Sequence, residues 1–527
     1  MDRLKKTTLL KGVVLLIIFL IATYLQTLVY ANHDAVWLLH CASQLLQGKT
    51  YYYNFFETNP PLILFLYMPA IGLAKLIGCT SFIGLRIYTF IFITLVMLIT
   101  NRLLNRILPK QTALIFWLIV LWTAYFAILP FFWFAEREHF TALLVLPYLL
   151  LTVLRLQNKP VKTSEAICYS LLAALGISLK PYFLIPLVLV EGYYLLHIRK
   201  ILTYLRPEPI CIFLFMVLYL IFIKLFFPVY FNKILPLTEV LYIPVFAKQS
   251  YINLLLSNYS FYILLDLLMI GWQILVTKSE QKYLLIVFFL VVLGFLIAYI
   301  WPGHTWYYHA YPAIVLGLAI LSFMLLNMIQ AILKLEVLKG FPIVITLRCF
   351  VTLILILLNI NLCIWNNLYY FLEKASSHSY TNHLIQYINA HASGENVLII
   401  SNTFIQESAR YYTTANLTSR FPSMLLVPGL KNLQLTHQNK AYHHYKHLLF
   451  KLMLEDVHRF PPAYIFIDRE GFWIYKRTRT LKFKFLPFLL SDSKFKDFLS
   501  HYHQVAKNKF YIVLKLNNEA AANDKLN

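Results

Sequence analysis

Runs of about 18 or more apolar residues recur through the first 365 positions of this chain, and each can cross roughly 30 Å of hydrocarbon. Lipid offers no water to a crossing backbone, so such runs commit the chain to helices. Composition agrees. The 60% hydrophobic and 13% charged content, with a mean hydropathy of +0.66, departs from the roughly 45–50% apolar and 25% charged of soluble proteins. A mainly α, polytopic transmembrane helical bundle is expected. The formal charge of +23 would point to nucleic acid in a soluble protein. Here Lys and Arg cluster in short loops, where they set topology and meet anionic headgroups of the bilayer. No recognition motif accompanies them, so no nucleic-acid partner is expected. The six cysteines show no CxxC spacing, which argues against a disulfide framework or a cysteine metal site.

The opening MDRLKKTTLLKGVVLLIIFLIATYLQTLVY has a basic start and an apolar core longer than that of a signal peptide. No small-x-small site follows it, and it reads as an uncleaved first span. Lys5, Lys6 and Lys11 put the N-terminus in the cytoplasm and the loop at 31–60 outside. If the next stretch, 61–78, also crossed, Arg102, Arg106 and Lys110 would end on the outer face. That stretch begins at Pro60-Pro61 and is broken by Pro69, Gly72 and Lys75, so it is expected to lie along the outer leaflet. The spans 84–104, 112–131, 140–155, 165–179, 182–197, 209–227, 255–277, 283–301, 311–332 and 341–364 then alternate. Their inner ends meet Arg155, Lys159 and Lys162, then His197, Arg199, Lys200 and Arg206, then Lys278 and Lys282, then Lys334 and Lys339. The outcome is about eleven membrane crossings, with the C-terminal part outside. From 366 to 527 short β-branched runs appear, NVLIIS (396–401), AYIFID (463–468) and FYIVLKL (510–516), and predict a small soluble α/β domain behind a transmembrane domain over 1–365.

Ionisable residues gather on one side of that topology. Asp34 and Glu57 lie in the first outer loop, Glu136, Arg137, Glu138 and His139 in FWFAEREHF, Lys180 before Pro181, and His304, Tyr308 and His309 in WPGHTWYYHAYPA. Several loops converging at one end of a helical bundle is the anatomy of a membrane-surface active site. Each residue also has a structural reading. Asp34 can cap a helix over 35–47, Glu57 can be a turn residue, and EREH can be a local ion-pair cluster. Lys180 can snorkel, and the histidines can belong to an interfacial aromatic belt. Tyr51, Tyr52, Tyr53, Phe55 and Phe56 fit either stacking on a sugar or prenyl chain or the same belt. Asp266, in the middle of a span, calls for a polar structural partner such as a Ser or Tyr hydroxyl.

With Asp34, FETNPPL at 56–62, REHFTALLVLPYLL and YYHAYPA, the chain resembles the GT-C membrane glycosyltransferases of the protein O-mannosyltransferase and aminoarabinose-transferase type over roughly residues 10–365. The resemblance implies a catalytic Asp in the first outer loop, here Asp34, and a helix on the outer leaflet, here 61–78. It also implies sugar transfer from a polyprenyl-phosphate donor to a hydroxyl of a glycolipid, polysaccharide or protein. Asp34 would be the general base, with Glu57 beside it. Arg137 and Lys180 would hold the leaving phosphate, with His304 or His309 donating hydrogen bonds. Glu136, Glu138, His139 and Tyr308 are further candidates. The family often places a second acid after the Asp, where this chain has Ala35. Basic side chains would then stand in for a metal, so no cofactor and no obligatory divalent ion is expected. The rival class is a transporter or lipid-linked glycan flippase, which would place its ionisable groups near the midplane of repeated halves.

Overall fold

The computed structural model describes residues 2–199, 205–245, 250–304, 306–336, 343–469, 472–475 and 480–517. The topology charges Lys200 and Lys339, and the side chains of Lys5, Lys6, Lys11 and Lys334, lie outside what it describes. Among the described residues eight helices are long and apolar enough to cross a membrane. Together with the shorter Gly12–Thr27, Thr112–Ile128 and Thr163–Ile177 they are the eleven stretches expected to cross. The remaining short apolar helix, Leu62–Ile77, is the stretch read as lying on the leaflet. The chain forms two compact units. One comprises Met1–Val29, Gly72–Phe222 and Lys248–Phe371; the other comprises Tyr30–Ile71, Ile223–Ala247 and Leu372–Asn527. The first loop therefore folds with the C-terminal region, from which a single cut at 365 would separate it.

The helical unit is built around Arg137–Leu156, which is buried along almost its whole length. Small residues let its neighbours close in. A Cβ on Gly176 would lie 3.0 Å from Leu144 Cβ, and Thr141 Oγ1 donates to the Gly176 carbonyl at 2.9 Å. Likewise a Cβ on Gly294 would fall 2.4 Å from Pro186 Cα, so only glycine lets those two helices touch there. Several polar groups in the helical interior find partners, as burial demands. Trp122 donates to the Ala319 carbonyl at 3.0 Å, and Tyr125 meets Ser322 at 2.9 Å. Asp266 accepts from Asn359 at 3.1 Å through both oxygens, so its partner is an amide and not the expected hydroxyl. Several loop cations are also paired. Arg102 and Arg106 share Glu165 at 2.8 and 2.9 Å, Arg155 holds Glu208 at 2.8 Å, and Arg206 bonds Glu191.

The second unit is centred on a five-stranded sheet. Its strands are β1 (Asn396–Ile400), β2 (Asn416–Leu417), β3 (Tyr464–Asp468), β6 (Tyr502–Lys507) and β7 (Tyr511–Leu516); β4 (Phe472–Tyr475) and β5 (Thr480–Phe483) form a separate hairpin. The order is β2-β1-β3-β7-β6, with β1 parallel to β2 and β3, and β7 antiparallel to β3 and β6. Every residue of β3 is buried, as expected of a central strand. The helix Tyr380–His391 packs Leu384 and Ile388 against Val397, Phe466 and Val513. The first loop is tied in by Arg420, whose guanidinium bonds Asp456 at 2.7 Å, Glu455 at 3.0 Å and the Tyr52 carbonyl at 3.1 Å. Phe56 N donates to the Arg420 carbonyl at 2.7 Å. Tyr51, Phe55 and Phe56 are buried in this unit's core, which removes them from both the ligand-stacking and the belt readings; Tyr53 remains 49% exposed.

Candidate active site

In the helical unit the chain turns sharply at Ala135, whose φ is +68°, and enters the helix Arg137–Leu156 with Glu136 at its N-cap. Successive residues of a helix start point about 100° apart, so EREH cannot act as one group. Glu138 faces Lys180 and bonds its ammonium. His139 faces elsewhere: its Nδ1 accepts from Ala135 N at 3.0 Å, and its ring packs against Phe134 and Tyr311. The structure thus separates His139 from the other candidates. Glu136 and Arg137 meet at 3.4 Å.

Lys180 is extended, the conformation a residue before proline favours. Its Nζ lies 3.2 Å from His309 Nε2, and that nitrogen lies 3.6 Å from Glu138 Oε1. The Tyr308 and Tyr182 rings stand 5.3 and 5.7 Å from the ammonium. His304 stacks on Trp306 at 4.7 Å and is 6.5 Å from the His309 ring. Glu136, Arg137, Glu138, Lys180 and His309 are all buried. Burial pushes the Lys180 ammonium below the ordinary lysine range, while Glu138 pulls in the opposite direction. Among the described residues, Glu138 Oε2 and His309 Nδ1 are buried without a hydrogen-bond partner.

Asp34 and Glu57 belong to the other unit. The helix there is His33–Leu46, and its cap is Asn32, whose Oδ1 accepts from Ala35 N at 2.8 Å. Asp34 sits in the first turn with its side chain 20% exposed, 3.6 Å from His33 Nε2. Glu57 is buried and tied down, accepting from Trp37 Nε1 at 2.7 Å, from Asn59 N at 2.6 Å and from the Asn59 side chain. Its oxygens hold the loop to the helix, whereas the Asp34 side chain is partly exposed.

The sequence reading missed the surroundings of Asp34. His33, Trp37 and His40 recur along one face of their helix and meet the helix Ile405–Tyr412. Phe404 stacks on His33 at 5.2 Å. Arg410 lies 5.8 Å from the Trp37 ring and 3.4 Å from His40 Nδ1, and it pairs with buried Glu407 at 2.8 Å. Burial raises the Glu407 carboxyl, Arg410 lowers it, and Asp34 adds a further upward push. The i, i+3 spacing of Glu407 and Arg410 was the one signal available, and it does not say which helix the pair will meet.

No protein-family model and no curated protein matches the sequence. Among solved structures the chain is similar to ArnT, an aminoarabinose transferase of Cupriavidus metallidurans crystallised with undecaprenyl phosphate. The match covers 97% of this chain and 98% of that one, at a TM-score of 0.53 and 10% identity. The oligosaccharyltransferase of Archaeoglobus fulgidus, in its apo form, matches 87% of this chain and 70% of its own at a TM-score of 0.43 and 11% identity. The ArnT match shows that this chain shares the fold of that protein, a mainly helical membrane bundle with a small C-terminal sheet domain.

Proposed function

We propose that this protein is an inner-membrane glycosyltransferase that moves a sugar from a polyprenyl-phosphate donor to a hydroxyl of an envelope glycolipid, polysaccharide or protein. The reaction lies on the extracytoplasmic face, with the N-terminus in the cytoplasm. The observation that carries this reading is the near full-length likeness to a protein crystallised with undecaprenyl phosphate. Two features of this chain's own residues support it. A buried pair of cations, Arg137 and Lys180, suits an anionic headgroup, and Asp34 is a partly exposed carboxylate suited to an acceptor hydroxyl.

In this reading Asp34 takes the proton of the acceptor hydroxyl as its oxygen attacks the anomeric carbon. The bond from that carbon to the phosphate oxygen breaks with inversion, and the charge growing on the phosphate is met by Lys180 and Arg137, with His304 or His309 donating hydrogen bonds. Glu57 holds the loop behind Asp34 through Trp37 and Asn59. These basic side chains supply the charge a divalent ion would otherwise bring. The test is mass spectrometry of envelope glycolipids and glycoproteins from cells with the wild-type gene, a deletion and Asp34→Asn. One species lacking a single sugar mass in both altered strains supports the reading. An Asp34→Asn strain indistinguishable from wild type would remove Asp34 from the role of base.

A further inference from the structure

Two buried acids and two buried bases surround His309 in the helical unit. Glu136, Arg137 and Glu138 come from one helix start and Lys180 from the turn before Pro181, with Tyr182 beside it; His304, Trp306 and Tyr308 share the histidine's own segment. With both imidazoles neutral the formal charges cancel, so Lys180 is already compensated by Glu138. An ammonium can only donate, so at 3.2 Å it makes His309 Nε2 an acceptor and leaves the ring's proton on Nδ1. That Nδ1–H and the Glu138 Oε2 acceptor are both buried with no partner among the described residues. A buried donor and a buried acceptor left unmatched in one cluster are groups that a polar ligand could satisfy.

A phosphodiester entering this cluster brings one negative charge that nothing there balances, and an uncompensated buried charge is costly. Arg137 and Lys180 already carry their protons, and an imidazole is the side chain that gains one near neutral pH. His309 is placed to do so, 3.6 Å from Glu138 Oε1, whereas His304 is stacked on Trp306. We propose, resting on the donor-binding reading above, that seating the donor phosphate takes up one proton on His309, which then pairs with Glu138 and frees Lys180 for the phosphate. The proton comes from solvent and no bond of the lipid changes. Nε2 becomes a donor to Glu138, Nδ1–H gains a phosphate oxygen as acceptor, and the flexible lysine stem carries its charge to the same anion. Glu138 is on this account a switch between two cations.

The test is calorimetric titration of the full chain in lipid nanodiscs with undecaprenyl methyl phosphate, in buffers of different ionisation enthalpy. That probe is a phosphodiester whose single acid stays ionised throughout, so it contributes no proton of its own. The expected result is uptake of about one proton per bound probe at mildly alkaline pH, with Kd weakening about tenfold for each further pH unit. His309→Gln keeps a hydrogen-bonding group but cannot carry the charge, and should bind with near-zero uptake and a flat pH dependence. Saturable binding by the wild type without proton uptake overturns the proposal and leaves the donor-binding reading standing, as does uptake that persists in His309→Gln. No saturable binding by the wild type at any pH overturns the donor-binding reading and the proposal together. The wild-type titration decides the matter even if the variant fails to fold.

Discussion

Lys180 shows why a charged side chain cannot be assigned from its type alone. In sequence it is a lone cation before a proline, equally able to snorkel or to hold an anion. In the fold it is buried and bonded to Glu138, with His309 at 3.2 Å. Removing it alone leaves a buried carboxylate without its partner, a loss of about 3–5 kcal/mol. Lys180→Ala therefore mixes a stability defect with any binding defect. The double variant Glu138→Gln/Lys180→Met removes both charges and should fold close to normally. It should still raise the KM for the lipid donor about tenfold or more, the value of a lost charged hydrogen bond, with the acceptor KM little changed. Steady-state kinetics with each substrate varied checks this, and a defect confined to the acceptor would remove Lys180 from the phosphate site. Glu57 offers a contrast. Its buried carboxylate is engaged by Trp37 and Asn59, so Glu57→Gln should lower the thermal midpoint as well as turnover. Loss of turnover at an unchanged midpoint would make Glu57 a chemical participant instead.

Two helices far apart in sequence, His33–Leu46 and Ile405–Tyr412, build the surroundings of Asp34. Burial, the Arg410 guanidinium and Lys49 hold the His40 imidazole well below its ordinary value of 6.5. The unfolded chain therefore binds that proton first as pH falls. The stability His40 contributes is present above about pH 6.5 and is lost as pH drops toward the folded value. Thermal unfolding followed from pH 8 down to 5.5 should show a falling midpoint, and His40→Gln should shallow the fall. An identical slope in the variant would place the acid sensitivity elsewhere. The apolar spans were legible in the sequence because hydropathy alone marks them, and β1, β3 and β7 because each is a β-branched run. Strand β6, YHQVAK, was not, since it is a largely exposed edge with no apolar alternation. The contacts of Arg410 with Trp37 and of Arg420 with Tyr52 were equally hidden. Local spacing cannot report a pairing across most of the chain's length.

The division into two units extends the same lesson to the molecule. Tyr30–Ile71 and Ile223–Ala247 fold with the C-terminal region, so the loop bearing Asp34 is part of a soluble-type core. In the proposed topology that core is extracytoplasmic, and Leu62–Ile77 does not cross. Cys79, which is partly exposed and follows that helix, should then react with a membrane-impermeant maleimide added outside intact spheroplasts, in a background where the other five cysteines are replaced by serine or alanine. Reaction only after the membrane is opened would reverse the orientation of the segment. The proposed function has the protein consume a lipid-linked sugar, and consumption of such a donor separates a transferase from a flippase or a scaffold. Lipid extracts from wild-type, deletion and Asp34→Asn cells, analysed by mass spectrometry for polyprenyl-phosphate-linked sugars, test this at the donor itself. One such lipid should accumulate in both the deletion and the Asp34→Asn strain and return to its basal level when the wild-type gene is restored. A donor pool unchanged in the deletion, or one that Asp34→Asn clears as fast as wild type, would contradict the proposed function.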